Sequence, residues 1–141
     1  MAVRTSTAQW EGGLKDGKGT MKVGVGAYQG PYSFASRFES GSGTNPEELI
    51  GAAHAGCYSM ALSATLEKNG FKPRRVSTTA RVHLEKVGEG FGITRIELVS
   101  EADVPGIDKA KFMELAEGAK KGCPVSKALA GTQIDLNIKL L

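Results

Sequence analysis

The chain has 141 residues, two cysteines and a net charge of +3, with Lys and Arg scattered rather than blocked. A chain of that length holds a hydrophobic core without disulfides, so it can fold reduced, and one domain spanning 1–141 is expected. No basic stripe interleaved with aromatics is present, which argues against nucleic-acid binding. The amino terminus shows no positive segment followed by an apolar run, so a reducing cytoplasm is the expected compartment.

In chain order, the first third reads as strands and turns. Val3 to Trp10 and Gly19 to Val25 alternate weakly, joined by a connection rich in glycine at Gly12, Gly13 and Gly17. A third strand is expected from Tyr32 to Phe38, with Tyr32, Phe34 and Phe38 on one face and Arg37 aimed away from these aromatics. A long helix should begin after Asn45, a good N-cap, with Pro46 at N1 and Glu48 at N3 reaching back to the cap amide. Asn69-Gly70 supplies its stop, giving about 23 residues and roughly 35 Å. Leu49 to Leu66 is uncharged, yet its Gly, Ala, Ser and Thr content, His54 and acidic flanks favour a buried globular helix over a membrane span.

Val76 to Val87 and Phe91 to Val104 read as two strands joined through Gly88-Glu89-Gly90, with Val76, Thr78, Ala80, Val82 and Leu84 on one face and His83 on the polar one. Asp108 to Lys121 has the pattern of an amphipathic helix, with Asp108 as cap and Phe112, Leu115, Ala116 and Ala119 as its apolar stripe. A short helix starts at Pro124, and Thr132 to Leu141 alternates as a final strand. The order β-β-β-α-β-β-α-α-β indicates an α+β fold.

Cys57 lies inside the long helix and Cys123 just before the short one. In a reducing compartment such a pair points to thiol chemistry rather than to a permanent staple. Reactivity requires a thiolate: a thiol with a pKa near 8.5 is about 3% ionised at pH 7, one near 6 about 90%. Cys123 stands at a helix start, where amides favour an anion. Cys57 lies about three turns into its helix and must borrow a cation, for which Arg37 is the leading candidate. His54 shares the face of Cys57, either as a couple for the thiol or as a hydrogen-bonded interior histidine. Two cysteines and two histidines lack paired metal-ligand spacing, so no metal is expected, and nothing in the chain suggests a flavin, haem or nicotinamide site.

Glu47 precedes Cys57 by ten positions, roughly 15 Å along a helix axis, which is beyond a glutamate's reach. It would approach a Cys57 only on a second copy of the helix packed antiparallel near Ala52. Gly51, Ala52, Ala53, Ala55 and Gly56 would permit that crossing, and would equally let the helix fit under a sheet.

Nearly end to end, the chain resembles the OsmC branch of the OsmC/Ohr family of thiol-dependent hydroperoxide reductases. The resemblance rests on Gln9-Trp10-Glu11-Gly12, Gly17-Lys18-Gly19-Thr20, Arg37-Phe38-Glu39, the long motif Gly43 to Leu62, Val104-Pro105-Gly106-Ile107-Asp108 and Gly122-Cys123-Pro124-Val125-Ser126. It implies Cys57 as the peroxidatic cysteine, Cys123 as the resolving one, and Arg37 with Glu47 as the pair that activates and orients the thiolate. It also implies antiparallel sheets around a long central helix in an intertwined homodimer. Such a protein would reduce organic hydroperoxides with an external dithiol, Met60, Phe34 and Phe38 being candidates for apolar contacts to substrate. A peroxide-sensing thiol switch and a non-enzymatic apolar-ligand module are the alternative readings.

Overall fold

A computed structural model describes residues 2–141. The chain divides between Leu49 and Ile50 into two compact units.

The amino-terminal unit is built on an antiparallel meander of β1 (Ser6–Glu11), β2 (Lys18–Val23) and β3 (Tyr28–Tyr32), in that order. Trp10, Gly19 and Tyr32 are directly opposite one another across the three strands, and the two rings close over the glycine with centroids 5.2 Å apart. A Cβ on Gly19 would stand 2.5 Å from the Tyr32 ring and 2.7 Å from that of Trp10, so only glycine admits this ring pair.

The strand expected from Tyr32 to Phe38 does not form. Pairing ends at Tyr32, and the chain turns at Ser33 into a short helix, α1 (Phe34–Phe38). Ser33 Oγ accepts from the Ser36 amide at 3.1 Å and Ser36 Oγ accepts from the Ser33 amide at 2.8 Å, a reciprocal cap that starts the helix. Phe34 and Phe38 are four apart, a spacing that suits a helix face as well as a strand face, so alternation alone misassigns them. In the helix Arg37 is not turned from the aromatics: its Cζ lies 5.3 Å from the Phe38 ring centroid.

The long helix α2 (Pro46–Lys68) has the bounds expected from its cap and stop residues. Asn45 Oδ1 accepts from the Glu48 amide at 2.8 Å. Glu48 does not close the expected reciprocal bond to the Asn45 amide; its carboxylate accepts from Thr44 Oγ1 at 3.2 Å instead. At the other end Phe71 N donates to Leu66 O and Gly70 N to Glu67 O, each at about 3.0 Å, with Gly70 at φ +87°. This is the double bond pattern of a glycine-terminated helix.

The second unit contains the rest of α2 and a sheet of β4 (Arg75–Val87), β5 (Gly90–Asp103) and β6 (Gln133–Leu140), with α3 (Lys109–Gly122) and α4 (Pro124–Ala128) between the last two strands. β4 and β5 form an antiparallel hairpin with a register shift after His83. β6 joins β5 in parallel, so this sheet is mixed rather than wholly antiparallel. The two intervening helices supply the crossover that a parallel neighbour requires. The core unites Tyr58, Leu62 and Leu66 of α2, Ile96, Leu98 and Ala102 of β5, and the expected stripe Phe112, Leu115, Ala116 and Ala119 of α3. Each fully buried Leu or Ile contributes about 1.5–3 kcal/mol.

Within this unit α2 buries the row Gly51, His54, Tyr58, Leu62 and Leu66, spaced three and four apart. Length and composition alone would let α2 cross a membrane, but this row is buried against protein. Its other side exposes Ala52, Ala53, Gly56, Met60 and Ala64, with Met60 77% accessible.

Candidate functional site

Three side chains on adjoining turns of α2 reach the α3–α4 segment. His54 Nε2 lies 2.7 Å from Ser126 Oγ, Tyr58 OH donates to Ala116 O at 3.1 Å, and Cys57 Sγ accepts from Cys123 Sγ at 2.8 Å. The hydrogen bonds on either side hold the two sulfurs in register. Cys123 occupies the break between helices: its amide donates to Ala119 O at 2.9 Å, and Pro124 begins α4 directly after it. Both cysteines are free thiols, Cys57 half-buried and Cys123 fully buried.

Their surroundings differ in sign. Burial pushes the Cys57 thiol up, and the neighbouring Cys123 sulfur adds to this, with only the Val125 amide opposing. Burial also pushes Cys123 up, but the nearby Cys57 thiol, the Ser126 amide and hydroxyl, and the Val125 amide favour its charged form, outweigh burial and leave that thiol below its ordinary value. The amides act electrostatically, without the cap hydrogen bond an oxygen would form. The helix-start advantage expected for Cys123 is therefore carried largely by Cys57 and Ser126, and Cys57 gains no comparable help from its own unit.

The other two candidate residues form a pair in the amino-terminal unit. Arg37 Nε donates to Glu47 Oε1 at 2.7 Å. The bond is set by the buried Ser36, whose Oγ donates to Thr44 O at 2.7 Å and whose carbonyl accepts from Asn45 Nδ2 at 2.9 Å, tying α1 to the first turn of α2. Glu47 is only 8% exposed, and its Oε2 is buried without a hydrogen-bond partner. Arg37 lines a cavity of about 260 Å³ with Trp10, Leu14, Tyr32, Phe34 and Phe38. The four candidate residues thus assemble as two pairs, Cys57 with Cys123 and Arg37 with Glu47.

His54 is a hydrogen-bonded interior histidine, kept neutral by burial, which lowers its pKa. His83, expected on the polar face of its strand, bonds Glu97 there, where Arg81 and Arg95 also approach that carboxylate, and the His83 bond first of all holds Glu97 below its usual range. Among the described residues no group of three or more His, Cys, Asp or Glu side chains could hold a metal ion. The residue that sequence reasoning missed is Ser126. Its signal was present, three residues after Cys123 at the third position of a helix that Pro124 begins.

Residues 39–139 match the model of a family described as OsmC-like protein. The chain belongs to this family. Over 134 residues, 94% of each chain, it is 54% identical to Peroxiredoxin OsmC of Escherichia coli K12. It is 39% identical over 101 residues to the organic hydroperoxide resistance protein of Xanthomonas axonopodis, covering 71% of this chain and 68% of that one. Among solved structures, OhrB of Bacillus subtilis superposes with a TM-score of 0.69 at 25% identity, covering 97% and 98% of the two chains. An OsmC-like protein of Mycoplasma pneumoniae gives 0.78 at 18% identity over 99% and 98%, a likeness of fold. The α+β arrangement is that of OsmC and Ohr structures.

Proposed function

We propose that this OsmC-family chain is a thiol-dependent peroxidase that reduces organic hydroperoxides, and hydrogen peroxide more weakly, to alcohols at the expense of an external dithiol. The observation that carries this reading is the 2.8 Å separation of two free sulfurs, one half-buried and one fully buried. The names of its relatives, peroxiredoxin and organic hydroperoxide resistance protein, point the same way.

Cys57 thiolate attacks the distal oxygen of the hydroperoxide, the O–O bond breaks, and the alkoxide leaves as alcohol after taking a proton, with sulfenic acid left on Cys57. Cys123 then displaces the sulfenic oxygen as water and forms a disulfide, which the external dithiol reduces. Arg37 is assigned the thiolate and the charge developing on the peroxide, since the immediate surroundings of Cys57 push its thiol up. Glu47 is assigned the task of aiming Arg37, supported by the 2.7 Å bond between them. The aromatic lining around Arg37 suits an apolar substrate tail.

A homodimer completes the proposal. The uncharged face of α2 at Ala52, Ala53, Gly56, Met60 and Ala64 is open to water in a lone chain, and a second copy would cover it. The proposed compartment is a reducing cytoplasm, where the cycle can restart from two free thiols. Steady-state consumption of cumene hydroperoxide with a dithiol tests the function: turnover that disappears in Cys57→Ser supports it, and oxidation of the protein without turnover refutes it.

A further inference from the structure

His54 is fully buried, and Ser126, 6% exposed, is the partner of its Nε2. The other ring nitrogen, Nδ1, is buried with no hydrogen-bond partner. A buried N–H without an acceptor costs more than an unfilled lone pair, so the hydrogen of the neutral ring is assigned to Nε2. Nε2–H then donates to Ser126 Oγ. That turns the serine's own hydrogen away from the imidazole; Ser126 is the third residue of α4 after Cys123, and the His54–Ser126 and Cys57–Cys123 contacts lie one turn apart on α2, so that hydrogen can face the Cys123 sulfur, whose ionisation the hydroxyl favours. The result is a one-way chain of donors from α2 through α4 to the resolving thiol.

We propose that His54 and Ser126 are positioning residues for the disulfide-forming step, in which the Ser126 hydroxyl, oriented by His54, meets the negative charge that develops on the Cys123 sulfur. The proposal rests on the peroxidase reading for the identity of that step. In it an electron pair of Cys123 Sγ forms the S–S bond to Cys57. The S–O bond of the sulfenic acid breaks with its own pair, and the Cys123 thiol proton passes to the departing oxygen to give water. Cys123 is oxidised, the Cys57 sulfur is reduced, and no further reactant is consumed. The geometry is already close: Cys123 Sγ donates towards Cys57 Sγ, the atom it must attack. Ser126 and Cys123 are both buried away from solvent, so charge on that sulfur has few other donors.

The test separates two rates in the full-length protein: sulfenic acid formation on Cys57 and its closure to the disulfide, followed by rapid quench and mass spectrometry across a pH series. Ser126→Ala should lower the ratio of closure to formation by about tenfold or more, the loss expected when a donor to a charged group is removed, and should move the closure profile to higher pH. Ser126→Thr, which keeps the hydroxyl, should restore most of the rate. His54→Phe, which keeps a flat buried ring but removes the donor, should slow closure in the same sense and decides the matter if Ser126→Ala does not fold. An unchanged ratio and pH profile overturn the proposal, as does a threonine variant as slow as the alanine one. A second readout needs no peroxide: in Cys57→Ser, thiolate absorbance reports the ionisation of Cys123, and Ser126→Ala should shift it upward. If the wild-type protein forms no sulfenic acid, the peroxidase reading fails, while this titration still tests the donor chain.

Discussion

The sulfurs of Cys57 and Cys123 stand 2.8 Å apart although 66 positions separate them in the chain. A disulfide needs about 2.05 Å, so closure requires a small movement of side chains that neighbouring hydrogen bonds already hold in register. Oxidation should therefore join these two residues within one chain and raise stability by up to about 4 kcal/mol, the value for constraining a loop of this length in the unfolded state. Denaturant midpoints of the reduced and oxidised protein measure this. Equal midpoints, with the disulfide verified by mass, would contradict it.

The bond between Arg37 and Glu47 separates structural from chemical effects. Arg37→Met leaves a nearly buried carboxylate without its donor and should cost about 1–3 kcal/mol. Adding Glu47→Gln should recover most of that stability. Peroxidase turnover should remain depressed by about a hundredfold or more in both variants, because the cation assigned to the peroxide is missing. Recovery of turnover in the double variant would remove Arg37 from the mechanism.

The long helix was the most legible part of the sequence, because Asn45, Pro46 and Asn69-Gly70 each act locally and their signals do not depend on the rest of the fold. The pairing of Cys57 with Cys123 was legible only as chemistry; their meeting depends on Tyr58 and Ser126, whose partners lie 58 and 72 positions away from them. The error at Tyr32 to Phe38 came from a spacing that two periods share, decided by the Ser33–Ser36 cap. The parallel seat of β6 could not be read from its alternation, since that pattern is the same for either strand direction.

Met60 tests the proposed second subunit. Placing a charge on the uncharged face of α2 with Met60→Lys should leave the fold intact, since the side chain is 77% exposed, and should turn a dimer into a monomer. Sedimentation measures the outcome. A wild-type chain that is monomeric at working concentration would refute the homodimer.

His54 sets a pH dependence of stability. Burial lowers its pKa below the ordinary 6.5, so on acidification through 6.5 the unfolded chain takes up a proton that the folded chain does not. Stability should accordingly fall as pH drops from 6.5 towards the folded value, with a slope of at most about 1.4 kcal/mol per pH unit from this group. His54→Phe should flatten the slope in that window. Urea midpoints between pH 7.5 and about 5.5 measure it, and an identical slope in the variant would contradict the assignment.

The most direct test of the central claim is the intact mass and peptide map of wild type and Cys123→Ser after one equivalent of cumene hydroperoxide. The expected result is a wild-type chain that has lost two hydrogens in a Cys57–Cys123 disulfide, and a Cys123→Ser chain that has gained one oxygen on Cys57. A Cys123→Ser chain with Cys57 unmodified, or with the oxygen on another residue, would contradict the account.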